Sequence, residues 1–516
     1  LSSLHPIPVL TAVLAILAGA PAGLRAEPPP PTLAPRPPLE ERLARTQHVL
    51  QLGGERIAYT ATAGTLILRG EDGAPRAAVF SVAYVRDGVK DPASRPVTFA
   101  FNGGPGGAAV WVHLGGFGPR RVDLDAKGFP LPPPARLVDN ENSILDATDL
   151  VFVDPVSTGY SRPAPGVDAK EFHGFENDIN SMADFIRLWL TRNGRMASPK
   201  LILGESYATI RAAGLGARLI DRYGIRLNGL VLISTALNGL SRGFDPGNDM
   251  AYVTFLPTYT AAAWYHKRLP PELAGDLGKT LAEVKKFALE EYAPALLLGD
   301  WLPAERRREI AAKLARYTGL SLDYVERANL RIEESRFCKE VLRDRRQTIG
   351  RIDARFTTTD LDAVGEIGEF DPSLTRYDAP FAEAIVDYLR RDLGYREDEL
   401  VYERLNDQVF PWHFPNHENR YADLAETLRQ TMMKNPDMKV LIASGYYDLA
   451  TPFFDAEFSV AHMGLPAVER PRIRFAEYEC GHMVYTRPED HRKLKADVAG
   501  FLREAAAAAP ASSSKR

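Results

Sequence analysis

The sequence predicts an α/β fold in which a mostly parallel central sheet is flanked by helices and carries a mainly helical cap inserted late in the sheet. Three observations lead to this. Apolar runs of strand length recur through the first half of the chain, each followed closely by Gly, Pro, Asp or Ser. Helical patterns separate the later runs, and strands buried on both faces that alternate with helices belong to parallel sheets. From Gly243 to Met433 the rhythm gives way to long helical patterns, and two more strand runs then follow.

Composition bounds the classes available. The chain has 516 residues, 45% hydrophobic and 25% charged, which excludes a disordered chain, a collagen and a multi-span membrane protein. With 63 basic and 67 acidic residues the net charge is −4, so there is no electrostatic footprint for nucleic acid. The uncharged stretch Ile7–Leu24, followed by Arg25-Ala26-Glu27, reads as a signal peptide over residues 1–26. A membrane anchor is the alternative. Gly19, Pro21 and Gly23 crowd its end and favour cleavage, hence export to the periplasm or beyond, with no stable membrane insertion afterwards. Cys338 and Cys480 either form one bridge across a long loop or stay as two buried thiols. CxxC and HExxH patterns are absent, and neither a metal nor a cofactor is expected.

In order along the chain, residues 27–48 begin with EPPPPTLAPRPP and read as a proline-rich linker. A first part of the core spans 49–242. Glu55–Arg69 and Ala77–Tyr84 look like paired strands, and Val97–Phe101, Leu150–Val153, Leu201–Leu203 and Leu230–Ile233 are the recurring apolar runs. Phe175–Asn193 places Ile179, Met182, Phe185, Ile186 and Trp189 at helical spacing, and Tyr207–Arg222 is a second helix. The cap spans 243–433 and includes helical patterns at Leu281–Leu297 and Ala304–Tyr317. The second part of the core, 434–505, holds strands at Val440–Ala443 and Ile473–Phe475 and a helix near Arg492–Ala505. Residues 506–516 form an Ala/Ser/Pro-rich disordered tail.

Four motifs sit at predicted strand ends. Gly204-Glu-Ser-Tyr-Ala208 lies where a strand gives way to a helix, the setting of a nucleophile elbow. Gly204 and Ala208 occupy the two small positions such a turn requires, so the Ser206 hydroxyl projects at the sheet edge and the Tyr207 N–H faces a developing oxyanion. The glycines of Phe101-Asn-Gly-Gly-Pro-Gly-Gly107 let backbone N–H groups approach a ligand. Asp448 and His482 each follow a late strand. The order Ser206, Asp448, His482 is that of α/β-hydrolases: the acid fixes the imidazole, and the imidazole takes and returns the serine proton.

These residues resemble the serine carboxypeptidase family. The resemblance rests on FNGGPGG at Phe101–Gly107, NENSILDATDLVFVDPVSTGYS at Asn140–Ser161, GESYA at Gly204–Ala208, SGYYDLATP at Ser444–Pro452 and CGHM at Cys480–Met483. It implies an α/β-hydrolase fold with a helical cap, Ser206 as nucleophile, His482 as base and Asp448 as orienting acid. It also implies oxyanion donors at the N–H groups of Gly104 and Tyr207, and a site for the substrate's C-terminal carboxylate at Asn102, Gly103 and Glu205. A glutamate and a carboxylate share such a site only with a proton between them. The implied partner is a peptide with a free C-terminus, hydrolysed through an acyl-enzyme.

The sequence departs from the family pattern at three places. Gly107-Ala108-Ala109 stands where the family has Cys-Ser-Ser, Gly116 where it has a second carboxylate-binding glutamate, and Thr209-Ile-Arg211 where it often has Gly-His/Lys-Tyr after the nucleophile. Arg211 either supplies positive charge near the substrate or is a solvated helix residue. The missing glutamate keeps an esterase, amidase or acyltransferase open as alternatives, beside a catalytically silent binding protein on the same scaffold.

Overall fold

A computed structural model describes residues 39–415 and 417–507. The expected signal peptide, residues 27–38 of the expected linker and residues 508–516 of the expected tail lie outside the described residues. The central sheet is a path of nine strands: β1 (Leu43–Leu52), β2 (Glu55–Arg69), β3 (Pro75–Arg86), β4 (Val97–Phe101), β5 (Asp149–Val153), β6 (Lys200–Glu205), β7 (Gly229–Ile233), β8 (Lys439–Gly445) and β9 (Ile473–Tyr478). A two-residue strand at Arg162–Pro163 pairs with β3 off this path. The spatial order is β1-β2-β3-β5-β4-β6-β7-β8-β9. The first three strands pair antiparallel, and the six from β5 to β9 run parallel.

The chain goes from β4 to β5 on one side and then to β6 on the other. A crevice therefore opens at the C-terminal ends of β4 and β6, as at switch points of other open α/β sheets. The register brings Phe101 level with Gly204, and Ile233 level with Glu205.

Within the expected linker, Leu43–His48 belongs to β1, which pairs with β2 along its whole length, so the linker reading fails there. The missed signal is Gly53-Gly54: both glycines have positive φ (58° and 84°) and close a two-residue hairpin between alternating strands.

Helix α1 (Phe175–Arg192) buries the expected stripe of Ile179, Met182, Phe185, Ile186 and Trp189. Helix α2 (Tyr207–Tyr223) starts directly after Ser206 and ends at Gly224 in the left-handed conformation (φ 64°). Next come α3 (Met250–Tyr265), α4 (Leu277–Phe287), α5 (Ala293–Leu298), α6 (Ala304–Thr318), α7 (Leu322–Arg327) and α8 (Glu334–Glu340). The single helix expected over Leu281–Leu297 is α4 and α5 joined by a π-type turn at Ala288–Tyr292. Pro294 has no N–H to continue the i→i−4 ladder there. The remaining helices are α9 (Pro372–Arg391), α10 (Leu424–Lys434), α11 (Phe453–Ala461) and α12 (Pro488–Ala506). The last starts earlier than expected because Pro488 fits the first helical turn.

Alternate residues of the parallel strands feed two cores. Phe99, Ile202, Leu232 and Ile442 join α1, α2 and α10 on one face, while Leu203, Val231 and Leu441 join α9 and α12 on the other. A third cluster unites residues of α3, α4, α6 and α8 with Tyr447, Leu449 and Phe453. The stretch 243–433 is therefore not one layer. The helices α3 to α8 share a core of their own, whereas α9 and α10 cover the sheet, as their stripes led by Tyr377, Phe381 and Tyr388 and by Leu424, Leu428 and Met432 require. None of the helices among the described residues is long and apolar enough to cross a membrane.

Candidate active site

The end of β6 makes the elbow. Ser206 adopts φ 62°, ψ −130°, a strained conformation for a residue with a Cβ, and its N–H donates to Ile233 O at 2.9 Å. A Cβ on Gly204 would overlap the Ala208 carbonyl, which accounts for the small residue before the turn. The glycine loop after β4 lies directly on this elbow. A Cβ on Gly103 would stand 2.7 Å from the Ser206 Cβ and collide with the Tyr207 nitrogen. Gly104 has φ 103°, which favours glycine, and Gly107 N–H bonds Gly103 O at 2.9 Å. Neither Gly104 nor Tyr207, the expected oxyanion donors, gives its N–H to another described residue.

The loops after β8 and β9 meet beside it. Gly445 is pressed against the carbonyls of Cys480 and Gly481, where a side chain would not fit. Asp448 Oδ2 accepts from His482 Nδ1 at 2.7 Å and from Thr451 Oγ1 at 2.6 Å, and its Oδ1 accepts the N–H groups of Ala450 and Thr451. The histidine backbone is tied at both ends, its N–H to Ile352 O and its carbonyl to the Ser234 hydroxyl. Burial would raise the Asp448 pKa, but the charge and hydrogen bond of His482 hold it below the ordinary value. Burial would lower that of His482, but Asp448, with a contribution from Glu205, holds it above the ordinary value. Ser206 and His482 line one cavity of about 420 Å³ with no hydrogen bond between their side chains. Such bonds often tighten only with substrate in place.

The structure brings together Asn102, Gly103 and Glu205 in the wall of the same cavity. Asn102 Oδ1 accepts from the N–H groups of Trp111 and Val112, which turns its Nδ2 onto Glu205 Oε1 at 2.7 Å. Burial lifts the Glu205 pKa to about 7 against the opposing pull of His482, so the carboxyl holds its proton up to near-neutral pH. Its Oε2 has no hydrogen-bond partner.

Several residues were not found from the sequence. Tyr485 packs its ring over Gly115 and Gly116, where a Cβ on Gly116 would lie 3.2 Å from the ring. Its phenol is held well above the ordinary range, by burial first and then by the charge of Glu205, and neither its hydroxyl nor Glu205 Oε2 completes a hydrogen bond. An aromatic ring thus fills the space beside the position of the missing glutamate. The Gly116 carbonyl is held by Asn140 Nδ2 and His491 Nε2. Arg211 is corrected on both readings, being neither solvated nor on the cavity wall. It is 1% exposed, pairs with buried Asp178 at 2.8 Å, donates to Asn102 O at 2.9 Å and lies over the rings of Phe101 and Tyr207. It braces the glycine loop and the elbow from behind. Of the aromatics in the insertion, Trp412 meets the Tyr207 ring edge-on at 5.3 Å. Both cysteines are free, buried thiols, with Cys480 pushed up to about 12. Among the described residues no group of three or more His, Cys, Asp or Glu is placed to hold a metal ion.

Comparison with known proteins gives the family of the chain. The family model for serine carboxypeptidase matches residues 83–505. Two curated relatives from Arabidopsis thaliana, serine carboxypeptidase-like 42 and serine carboxypeptidase-like 44, are 32% and 34% identical over 131 residues. These matches cover 24% of this chain and 25% of each relative, so the aligned region spans a quarter of their length. Among solved structures, a prohormone-processing carboxypeptidase from Saccharomyces cerevisiae superposes with a TM-score of 0.55 at 15% identity, covering 86% of this chain and 91% of that one. With the family model matching most of the chain over the α/β-hydrolase architecture described above, this protein belongs to the serine carboxypeptidase family.

Proposed function

We propose that the protein is a serine-type carboxypeptidase that releases C-terminal residues through an acyl-enzyme. The observation that carries this is the Asn102–Glu205 pair in the same cavity wall as Ser206, with the glutamate holding a proton up to about pH 7. A neutral glutamic acid beside an amide N–H₂ donates to a substrate carboxylate where an ionised one would repel it. Ser206 Oγ attacks the scissile carbonyl while His482 Nε2 takes its proton, and Asp448 stabilises the imidazolium formed. The oxyanion receives the N–H groups of Gly104 and Tyr207. His482 then protonates the departing amine, and a water, deprotonated by the same nitrogen, releases the acyl product. The apolar stretch Ile7–Leu24 further supports export.

The test is hydrolysis of one N-blocked dipeptide as free acid and as C-terminal amide, with a Ser206→Ala control. A strong, Ser206-dependent preference for the free acid supports the carboxypeptidase. Equal rates, or cleavage of an ester analogue alone, support the second reading of an esterase, amidase or acyltransferase, which Gly116 and the Tyr485 ring favour. Failure of Ser206 to react with a fluorophosphonate would support a silent binding protein.

A further inference from the structure

Two guanidinium groups, those of Arg242 and Arg351, line the cavity that contains Ser206 and His482. They differ in their partners. Arg351 is half-exposed and gives its Nε to Glu334 at 3.1 Å. Arg242 has neither a hydrogen bond from its guanidinium nor an ion pair among the described residues, although its Nε is buried. Of the carboxylates whose charge it feels, Asp448 is bound to His482, and Asp455 takes the Ser241 hydroxyl on Oδ1 while its buried Oδ2 has no hydrogen-bond partner, so neither forms an ion pair with Arg242. The buried arginines that do not line the cavity are treated otherwise: Arg195, Arg211 and Arg355 each pair with a buried aspartate at 2.6–2.8 Å.

A desolvated, unpaired cation is costly, and the neighbouring charge of Arg351 adds to the cost. The loop that carries Arg242 is nevertheless tied in place. Its N–H bonds Gly239 O, and Asn248 Nδ2 donates to Leu240 O at 2.7 Å and to Gly243 O at 2.6 Å. Arg351 is anchored too: its carbonyl accepts Leu449 N–H, and the next carbonyl, that of Ile352, accepts His482 N–H. Both guanidinium groups are thus mounted on fixed backbone. The carboxyls on the cavity wall itself are Glu205, a proton-holding acid, and exposed Asp407.

We propose that Arg242, assisted by Arg351, binds a carboxylate of the substrate in the wall of the catalytic cavity, in addition to the Asn102–Glu205 site. This rests on the reading of Ser206 as the nucleophile. The carboxylate comes either from an acidic side chain flanking the scissile bond or from the C-terminus itself, and the chemistry is the same: a planar fork of N–H donors meeting two oxygens.

The experiment compares N-blocked dipeptides bearing Glu, Gln or Lys at each of the two positions, as free acids and as amides, in the wild type and in Arg242→Gln and Arg242→Glu. For a side-chain carboxylate, the wild type prefers Glu to Gln in kcat/KM by roughly tenfold to a hundredfold at one position. Arg242→Gln brings that ratio toward one, and Arg242→Glu turns the preference toward Lys, a gain that misfolding does not produce. If the carboxylate is the C-terminus, the variants instead lower the acid-over-amide ratio of the neutral dipeptides. Unchanged ratios of both kinds in both variants overturn the proposal. Should the wild type cleave no peptide, the nucleophile is still read by fluorophosphonate labelling of Ser206. Slower labelling in the presence of N-blocked glutamate or N-blocked glutamine than of their C-terminal amides, or of N-blocked glutamate than of N-blocked glutamine, lost in Arg242→Gln, then supports the carboxylate site independently of peptidase activity, and slowing that is the same in the wild type and Arg242→Gln overturns it.

Discussion

Glu205 and His482 titrate against each other across the cavity, and the signs of their shifts set a pH dependence. In the proposed mechanism His482 must be neutral to accept the serine proton, so activity on any substrate is expected to be lost as pH falls through its raised pKa. In the same mechanism Glu205 must be protonated to receive a carboxylate, so KM for free-acid substrates is expected to rise as pH climbs through about 7. The expected profile of kcat/KM is bell-shaped for a dipeptide free acid and lacks the alkaline limb for its amide. The two limbs report apparent values of the coupled pair. Glu205→Gln should flatten the alkaline rise in KM while leaving the acid limb in place. A KM for the free acid that stays level from about pH 4 to 8 in the wild type would count against the role of Glu205. Ser206, His482 and Asp448 stood out in the sequence as candidates because each sits in a short local pattern, and Glu205 through the family resemblance. Arg211 and Tyr485 were not, because their roles depend on contacts with residues distant in the chain: Arg211 with Asp178 and Asn102, Tyr485 with Gly116 and Glu205.

At the scale of elements, the elbow and the glycine loop act as one unit. The parallel register that sets Phe101 beside Gly204 delivers both turns to the same edge, and the absence of a side chain at Gly103 lets them touch. Gly103→Ala would push the loop off the Tyr207 N–H and displace a proposed oxyanion donor. The expected result is a loss in kcat on the order of a hundredfold or more. It should extend to a small ester that needs no carboxylate site, and steady-state kinetics on such an ester would check it. Element positions followed closely from apolar periodicity: β4 to β9, α1, α2 and α6 lie where the runs placed them, within a few residues. Strand β1 did not. Its polar edge, exposed at every other position, carries little apolar signal, and only the Gly53-Gly54 turn announces it.

For the whole molecule, the two cysteines show how the cores are kept apart. Cys338 lies in the cluster of α3 to α8, Cys480 in the sheet cluster of α9 and α12. No bridge joins them, and burial holds both thiols above their ordinary pKa. Reductant should therefore leave the melting temperature unchanged. A thiol reagent should react slowly with the native protein and titrate two groups after denaturation; a Tm that falls with reductant would contradict the arrangement. The sequence by itself determined the α/β class and the order of strands and helices along the chain, and it singled out Ser206, Asp448 and His482 as candidates, because periodicity and turn chemistry act over a few neighbouring residues. Only the tertiary structure decided that α9 and α10 cover the sheet, that Arg211 is an internal brace, that the thiols stay free and that Arg242 reaches the cavity with no ion-pair partner among the described residues. Each of these depends on which distant surfaces meet, and burial and charge pairing across such contacts have no local signature in the chain.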